Sequence, residues 1–450
     1  MKVTFFFLFL AVSCAQLPAK RTDKLSILQG ITNSKEVEFS ILAPKSLPLR
    51  FELRSAEGEI LTPDDSKLES RDFSSYGVHK LVFIRDPQKV YNLYVFEGEK
   101  ILDQRLVGKG QPAPSKLKIA VASCLDDYFE EHFKIWDQVN AADPDYLLLI
   151  GDNVYADKAS KLDVLVIDEE KLWKRYIDAR LRIPLYFQVE LIPTHAVWDD
   201  HDYGANDGAS DFKYKEASKK IFDAFFAQDL SDDDWVDGYG VGGLLSLGDF
   251  NLYFLDGRTY RSRDKDGTHL GLEQKSWLTA KLLEEPSPSL LVKGDQFFGG
   301  YHQFDSYEGD QPKEFVQFVS ELRGVPTPFV FLSGDRHMSE IMQFPRGLFG
   351  KPSFEITSSP LHARIYDGLP DSNPWRVVSE KKNVNFTIID NVVKDNHWFM
   401  DVQNIGQDGR VHYRRELAVF IKDLQNNLNE VRKRRQGRRR YKKIRSRRRR

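Results

Sequence analysis

Polarity alternates in short runs through the first quarter of the chain. Val37-Glu-Phe-Ser-Ile-Leu42, Leu49-Arg-Phe-Glu-Leu53, Lys80-Leu-Val-Phe-Ile84 and Val90-Tyr-Asn-Leu-Tyr-Val-Phe96 place apolar residues at every second position or nearly so, with turn residues between the runs. A period of two sends one side of an extended chain into a core and the other out of it, so these runs predict strands. Several short strands at this spacing predict an all-β domain over residues 24–108, an antiparallel sandwich of immunoglobulin or fibronectin type. No cluster of reactive side chains falls within it, and it reads as a packing and positioning unit. The stretch GKGQPAPS, from Gly108 to Ser115, is the linker that follows.

Beyond the linker the pattern changes to short, wholly apolar runs alternating with amphipathic ones. Lys118 to Cys124, Tyr146 to Ile150, Thr194 to Trp198 and Pro328 to Leu332 read as buried strands of the parallel kind. Phe129 to Ala141, Glu169 to Leu181, Lys215 to Gln228 and Leu272 to Leu283 read as helices, and Asn385 to Ile389, His397 to Val402 and Glu416 to Ile421 as terminal strands completing the sheet. This predicts an α/β unit over residues 115–425, a layered sheet core flanked by helices. The Asp- and Gly-rich stretch from Asp229 to Gly243 is expected to cap its active site.

The two ends are of different material. Lys2 precedes a mainly apolar run from Val3 to Val12 and then Ser13-Cys14-Ala15; a run of ten residues is too short to span a bilayer, so residues 1–15 predict a secretory signal and export. Cleavage after Ala15, giving a secreted or periplasmic protein, and lipidation of Cys14, giving an anchored one, both fit. At the other end, Val431 to Arg450 holds fourteen of the 65 Lys and Arg residues and no acid, so the rest carries 51 basic against 67 acidic residues, a net −16 rather than −2. Charge at that density predicts a disordered tail that binds anionic lipid, wall polymer or nucleic acid by counterion release. No base-reading module accompanies it, so sequence-specific nucleic-acid recognition is not expected. A length of 450 residues predicts two or three domains; two cysteines exclude a disulfide framework. No oligomeric state is predicted.

The candidate chemistry sits where the apolar runs stop. Trp198 to Asp207, WDDHDYGAND, packs four carboxylates, a histidine and an asparagine directly after an apolar run. Such crowding is electrostatically costly unless a cation neutralises it. The same layout recurs: Tyr146 to Ile150 runs into Gly151-Asp152, Pro328 to Leu332 into Ser333-Gly334-Asp335-Arg336-His337, and Lys118 to Ala122 into Ser123-Cys124. Ligands of open α/β sheets lie beyond the carboxyl ends of strands, so these side chains point at a crevice.

The ordered motifs Gly151-Asp-Asn-Val-Tyr155, Asp199-Asp-His-Asp202, Gly334-Asp-Arg-His337 and Glu355-Ile-Thr-Ser-Ser-Pro-Leu-His-Ala363 resemble those of the PhoD-like alkaline phosphatases, a branch of the calcineurin-like metallophosphoesterases, over residues 115–363. The resemblance implies a ferric ion held by the Cys124 thiolate, the Tyr155 phenolate and a carboxylate, with calcium beside it. Asp152 would bridge and His337 would close the iron site. A phenolate is a hard donor suited to trivalent iron. Asp200 precedes His201 where the related purple-type phosphatases carry asparagine, and Asp335 stands where they carry histidine. Both exchanges favour an oxygen-seeking ion, calcium or another divalent metal, at the second position.

His201 is the candidate to protonate the leaving oxygen or steady the phosphate, the alternative being a histidine that only bonds a carboxylate. Arg258 is the candidate for phosphate oxygens. Asn206 and Asp207 either coordinate the second ion or shape the loop; His362 is a weaker candidate for an outer role, and His195 is left unassigned. The expectation is an exported hydrolase acting on a phosphate-ester substrate through metal-bound hydroxide. A phosphodiesterase or phospholipase-type enzyme and a non-catalytic secreted binding protein are the alternatives.

Overall fold

A computed structural model describes residues 25–33, 35–108, 113–228, 235–366, 372–421 and 428–434. The expected signal segment, Cys14 and most of the basic tail lie outside the described residues. The first domain is two four-stranded antiparallel sheets, ordered Ser26–Thr32, Glu36–Pro44, Tyr76–Ile84, Asp65–Ser70 in one and Ile60–Leu61, Leu49–Ser55, Tyr91–Glu97, Lys100–Leu106 in the other. Alternate residues of facing strands, among them Val37, Phe39, Ile41, Leu53, Leu81, Phe83, Leu93 and Val95, form its core.

The alternation does not mark a solvent face on the first sheet. Leu28, Ile31, Leu42 and Val78 point the other way and join the core of the second unit. There the fully buried Arg180, on the helix Glu169–Arg182, donates to Ser26 and Ser40 and to the Phe225 carbonyl. The helix Lys215–Phe225 ends before the predicted Gln228 because the chain extends at Phe226, and the Ala227 carbonyl accepts from the Ile31 N–H at 2.8 Å. The predicted helix from Phe129 is likewise shorter, a 3₁₀ turn at Glu130–His132 and an α-helix only over Ile135–Ala141.

The second unit is mixed α/β and contains two large sheets. One orders Thr194–Val197, Tyr146–Ile150, Lys116–Ala122, Asn385–Lys394, His397–Gly406 and Val411–Phe420, with the first three parallel. The other orders Trp235–Asp237, Gly243–Leu247, Phe250–Phe254, Ser289–Val292, Phe329–Ser333, Phe354–Thr357, Ser339–Gln343 and Arg376–Glu380. Its four strands from Phe250–Phe254 to Phe354–Thr357 are parallel. Continuous apolar runs are needed here because both faces are covered. Leu252, Phe254, Leu290, Val292, Val330 and Leu332 face the core shared between the sheets, while Tyr253, Leu291, Phe329 and Phe331 face the helices Leu272–Glu284 and Pro312–Arg323.

Two boundaries differ from expectation. Trp235–Asp237, within the expected cap, pairs as an edge strand, and the Trp235 ring lies 4.4 Å from that of His195 inside the core; residues 229–234 of that stretch lie outside the described residues. Residues 428–434 are helical, so the start of the basic tail is ordered: Leu428 and Val431 are buried, and Arg432 pairs with the buried Asp249 at 2.5 Å. Two apolar anchors and a partner carboxylate outweigh the repulsion among the first basic residues.

Candidate metal centre

The parallel strands of both sheets end at one place, and their exit loops interlock. Gly151 has φ +93°, and a Cβ there would fall 2.7 Å from the Asp199 Cβ; one on Gly334 would fall 2.7 Å from the Ile150 carbonyl. Glycine in each Gly-Asp turn therefore lets the loops close on each other. Backbone bonds stitch them, from Cys124 N to Gly151 O (3.2 Å), Gly334 N to Gly294 O (2.6 Å) and Leu361 N to Ser123 O (2.8 Å). Cys124, Asp152, Asp335 and His337 all adopt the left-handed region, at φ 58°, 53°, 63° and 51°. Each costs roughly 1–2 kcal/mol for a residue with a Cβ, strain that clusters at functional sites.

The side chains so delivered converge. The Cys124 Sγ lies 3.5 Å from Asp152 Oδ2, and the Tyr155 hydroxyl lies 3.4 Å from the same oxygen and 3.3 Å from His337 Nε2. His337 Nδ1 is engaged by the Arg364 carbonyl, which turns Nε2 inward. Ligand-type atoms of Asp152, Asp200 and His201 lie within 4.8 Å of one another, as do those of Asp200, Asp207 and Asp305. Asp152 and Asp200 each belong to two adjoining groups, so the carboxylates run continuously from the thiol to Asp305. His201 Nδ1 is held by Asp157 at 2.6 Å, and its ring stands 4.2 Å from that of Tyr155.

Burial and like charge dominate the electrostatics. Burial, then the Cys124 and Asp200 charges, raises Asp152 well above the usual carboxylate range, and Tyr155 is raised by burial, then by the Cys124 and Asp152 charges. Burial pushes the Cys124 thiol up to about 12 and pulls His337 down to about 3. Burial also raises Asp335 to about 6, with Asp200 adding to it against Arg336. Asp200 resists burial and stays below its ordinary range because His201 and Arg258 face it. For His201, burial opposes the charge, but Asp200 and Asp157 raise it to about 9.

A cation fits this space. Ligands held at about 2.0–2.3 Å around one centre lie roughly 3.3–3.7 Å apart, the separations found among Cys124, Asp152, Tyr155 and His337. Asp152 Oδ1 is buried without a hydrogen-bond partner, a costly state for a carboxylate that coordination would relieve. A neighbouring cation would also lower the thiol, phenol and carboxyl pKa values together.

Of the residues singled out in the sequence, Cys124, Asp152, Tyr155, Asp200, Asp207, His201 and His337 are brought together. His201 stands within ligand distance, not only beside a ligand. Asp335 is adjacent but outside these groups, its carboxylate 3.3 Å from Arg336 Nη1. Asn206 is exposed, and its backbone N–H donates to Asp157. His362 lies behind the thiol loop against Phe133 and Trp136, its backbone N–H donating to the Cys124 carbonyl and its ring Nδ1 meeting the Asp126 carbonyl. Arg258 is fully buried, with Nε on Asp199 at 2.5 Å and Nη1 on Asp305 at 2.8 Å, so two carboxylates take two of its three nitrogens, while Nη2 is buried without a partner.

Asp157, Asp305 and the thiol-bonding Ser123 and Ser359 were not foreseen. Asp157, two residues past Tyr155, was legible in principle; Asp305 lies in a loop with no motif. No family profile and no curated protein matches the chain. A solved structure, the crystal structure of TT1561 of Thermus thermophilus, is similar at 10% identity over 68% of this chain and 99% of that one, with a TM-score of 0.30, which carries no argument about fold or function.

Proposed function

We propose that this chain is a metal-dependent hydrolase of phosphoric esters, of PhoD-like type on a layered metallophosphoesterase core. The observation that carries the reading is the convergence of a thiol, a phenol, a histidine and several carboxylates on adjoining positions that share Asp152 and Asp200. Thiolate, phenolate and carboxylate suit ferric iron at Cys124, Asp152, Tyr155 and His337, and the oxygen-rich set of Asp200 and Asp207 suits calcium or another divalent ion. Bound there, the cations would activate water and neutralise charge on the phosphoryl oxygens.

The chain's own side chains supply the proton. Water oxygen bonds to phosphorus, the P–O bond to the organic group breaks, and the departing oxygen takes up one proton. His201 suits that step because Asp157 fixes Nδ1 and leaves Nε2 to the cleft. Arg258, whose Nε and Nη1 are committed to Asp199 and Asp305, holds the loops that carry Asp200, and its buried Nη2, without a partner, is the donor left for a phosphoryl oxygen. Export, and retention of the basic tail on an anionic surface, belong to the same reading; deleting Val431 to Arg450 should release the protein at low salt.

Elemental analysis, with assays on nitrophenyl phosphate and bis-nitrophenyl phosphate, tests the proposal. The parent should retain iron and a second metal and hydrolyse at least one ester, while Cys124→Ala and His201→Ala lose activity. A charge-transfer band lost in Tyr155→Phe would support the phenolate. No hydrolysis with iron and calcium supplied would leave the binding-protein reading.

A further inference from the structure

The loops around the metal centre present two aromatic rings to solvent. Phe304 is 44% exposed and Tyr366 42% exposed. An arginine lies across one face of each, Arg336 Cζ 4.4 Å from the Phe304 centroid and Arg364 Cζ 5.0 Å from that of Tyr366. Phe304 directly precedes Asp305, which groups with Asp200 and Asp207. The Tyr366 ring meets that of His337 edge-on at 5.0 Å. Arg336 and His337 are consecutive, so the two rings rest on adjacent residues of one loop.

The centre opens on this side. The side chains of Asp335, Asp305 and His201 are 20%, 22% and 13% exposed, whereas Asp152 and Cys124 are buried. Phe304 and Tyr366 therefore stand on the side of the centre whose side chains reach solvent. His302 stands tilted 5.8 Å from the Phe304 ring and His337 meets Tyr366 only edge-on, so each ring keeps solvent-exposed surface for a flat partner opposite its guanidinium, the arrangement used to stack bases on protein aromatics. The Arg336 Nε adds a buried donor without a partner, although Nη1 of the same group is bonded to Asp335.

We propose that Phe304 and Tyr366, backed by Arg336 and Arg364, form a stacking subsite that selects phosphoric esters whose leaving group carries a flat aromatic or heteroaromatic ring. The inference rests on the hydrolase reading and names its substrate class. The ring could belong to an aryl phosphate or to a nucleotide, and the test separates them.

The experiment measures kcat and KM on phenyl phosphate, adenosine 5′-monophosphate and glycerol 3-phosphate for the metal-loaded parent, Phe304→Ala, Phe304→Trp and Tyr366→Ala. In both alanine variants the kcat/KM ratio of a ring-bearing ester to glycerol 3-phosphate should fall about tenfold, the loss lying in KM, as when one stacking contact is removed. Phe304→Trp should restore the ratio, which a merely structural role would not require. A fall confined to the adenosine ester identifies a nucleotide site, and one confined to the phenyl ester an aryl site. Equal changes on all three esters, or none, overturn the subsite while leaving the hydrolase intact. A parent inactive on all three overturns the hydrolase reading and the subsite with it.

Discussion

Two buried groups of ligand-type side chains stand at neighbouring strand ends, and they differ in where their countercharge comes from. His269, Asp295 and Asp310 lie within ligand distance of one another, as Cys124, Asp152 and His337 do. In the first group, Lys293 is bonded to Asp295 and lies 3.2 Å from His269 Nε2, and Arg261 is bonded to Asp310 and reaches Asp295 at 3.4 Å. Burial would raise Asp295, yet Lys293, His269 and Arg261 hold it well below the carboxylate range. Around Asp152, burial and like charge act together and push the other way. Ligand-type residues at ligand spacing are thus common to an internal ion network and to a candidate cation site. A built-in lysine and arginine offset the charge of Asp295, whereas Asp152 meets only burial and like charge; Arg258 serves the far side of the candidate centre, at Asp200 and Asp305.

The sharpest way to break this contrast is to exchange the outcomes of two substitutions. Asp152→Asn should lose bound metal and reduce ester hydrolysis by more than the roughly 10- to 100-fold typical of residues outside the ligand shell, read by elemental analysis and kinetics. Lys293→Met should leave metal content intact but strand the buried Asp295, costing about 3–5 kcal/mol in denaturant unfolding. Metal loss in Lys293→Met, or none in Asp152→Asn, would reverse the assignments.

A smaller effect is expected at Asp157, whose carboxylate orients the His201 ring. Asp157→Asn should lower kcat about 10- to 100-fold with both metals retained, because it touches the histidine and not the ion. Retained rate would reduce Asp157 to a loop contact.

Acid should probe the internal network as well. Burial first, then Arg261 and Lys293, lowers His269 from 6.5 to about 4. Between those values the unfolded chain binds a proton that the folded chain refuses, so stability present above pH 6.5 is lost as pH falls toward 4. This one group contributes up to about 1.4 kcal/mol per pH unit, a slope that His269→Gln should remove from urea melts. The smallest effect serves as a control: Lys174→Ala, breaking an exposed pair with Asp178, should change stability by less than about 0.5 kcal/mol.

Much of the fold was legible because local patterns carried it. The strands Tyr146–Ile150, Leu49–Ser55 and Tyr91–Glu97 and the helices Glu169–Arg182 and Leu272–Glu284 lie close to where polarity places them. Pro312–Arg323 is missing from the sequence-based assignment although Pro at its first position and buried Phe315, Phe318 and Leu322 at helical spacing mark it. The burial of both faces of Glu36–Pro44 was not legible, since Ser40 reads as a solvent-facing residue until Arg180 arrives from another domain.

The same division runs through the site. Strand ends rich in Cys, Asp, Tyr and His announced Cys124, Asp152, Tyr155, Asp200 and His337, because a short apolar run followed by Gly-Asp is a local signal. The ion pairs of Arg258 could not be read, since its partners Asp199 and Asp305 lie 59 and 47 residues away. By itself the sequence determined which side chains stand at the ends of buried strands. Only the tertiary structure decided which of them face one another and which already hold a cation, because Coulomb energy and desolvation depend on distances through space that no spacing along the chain records.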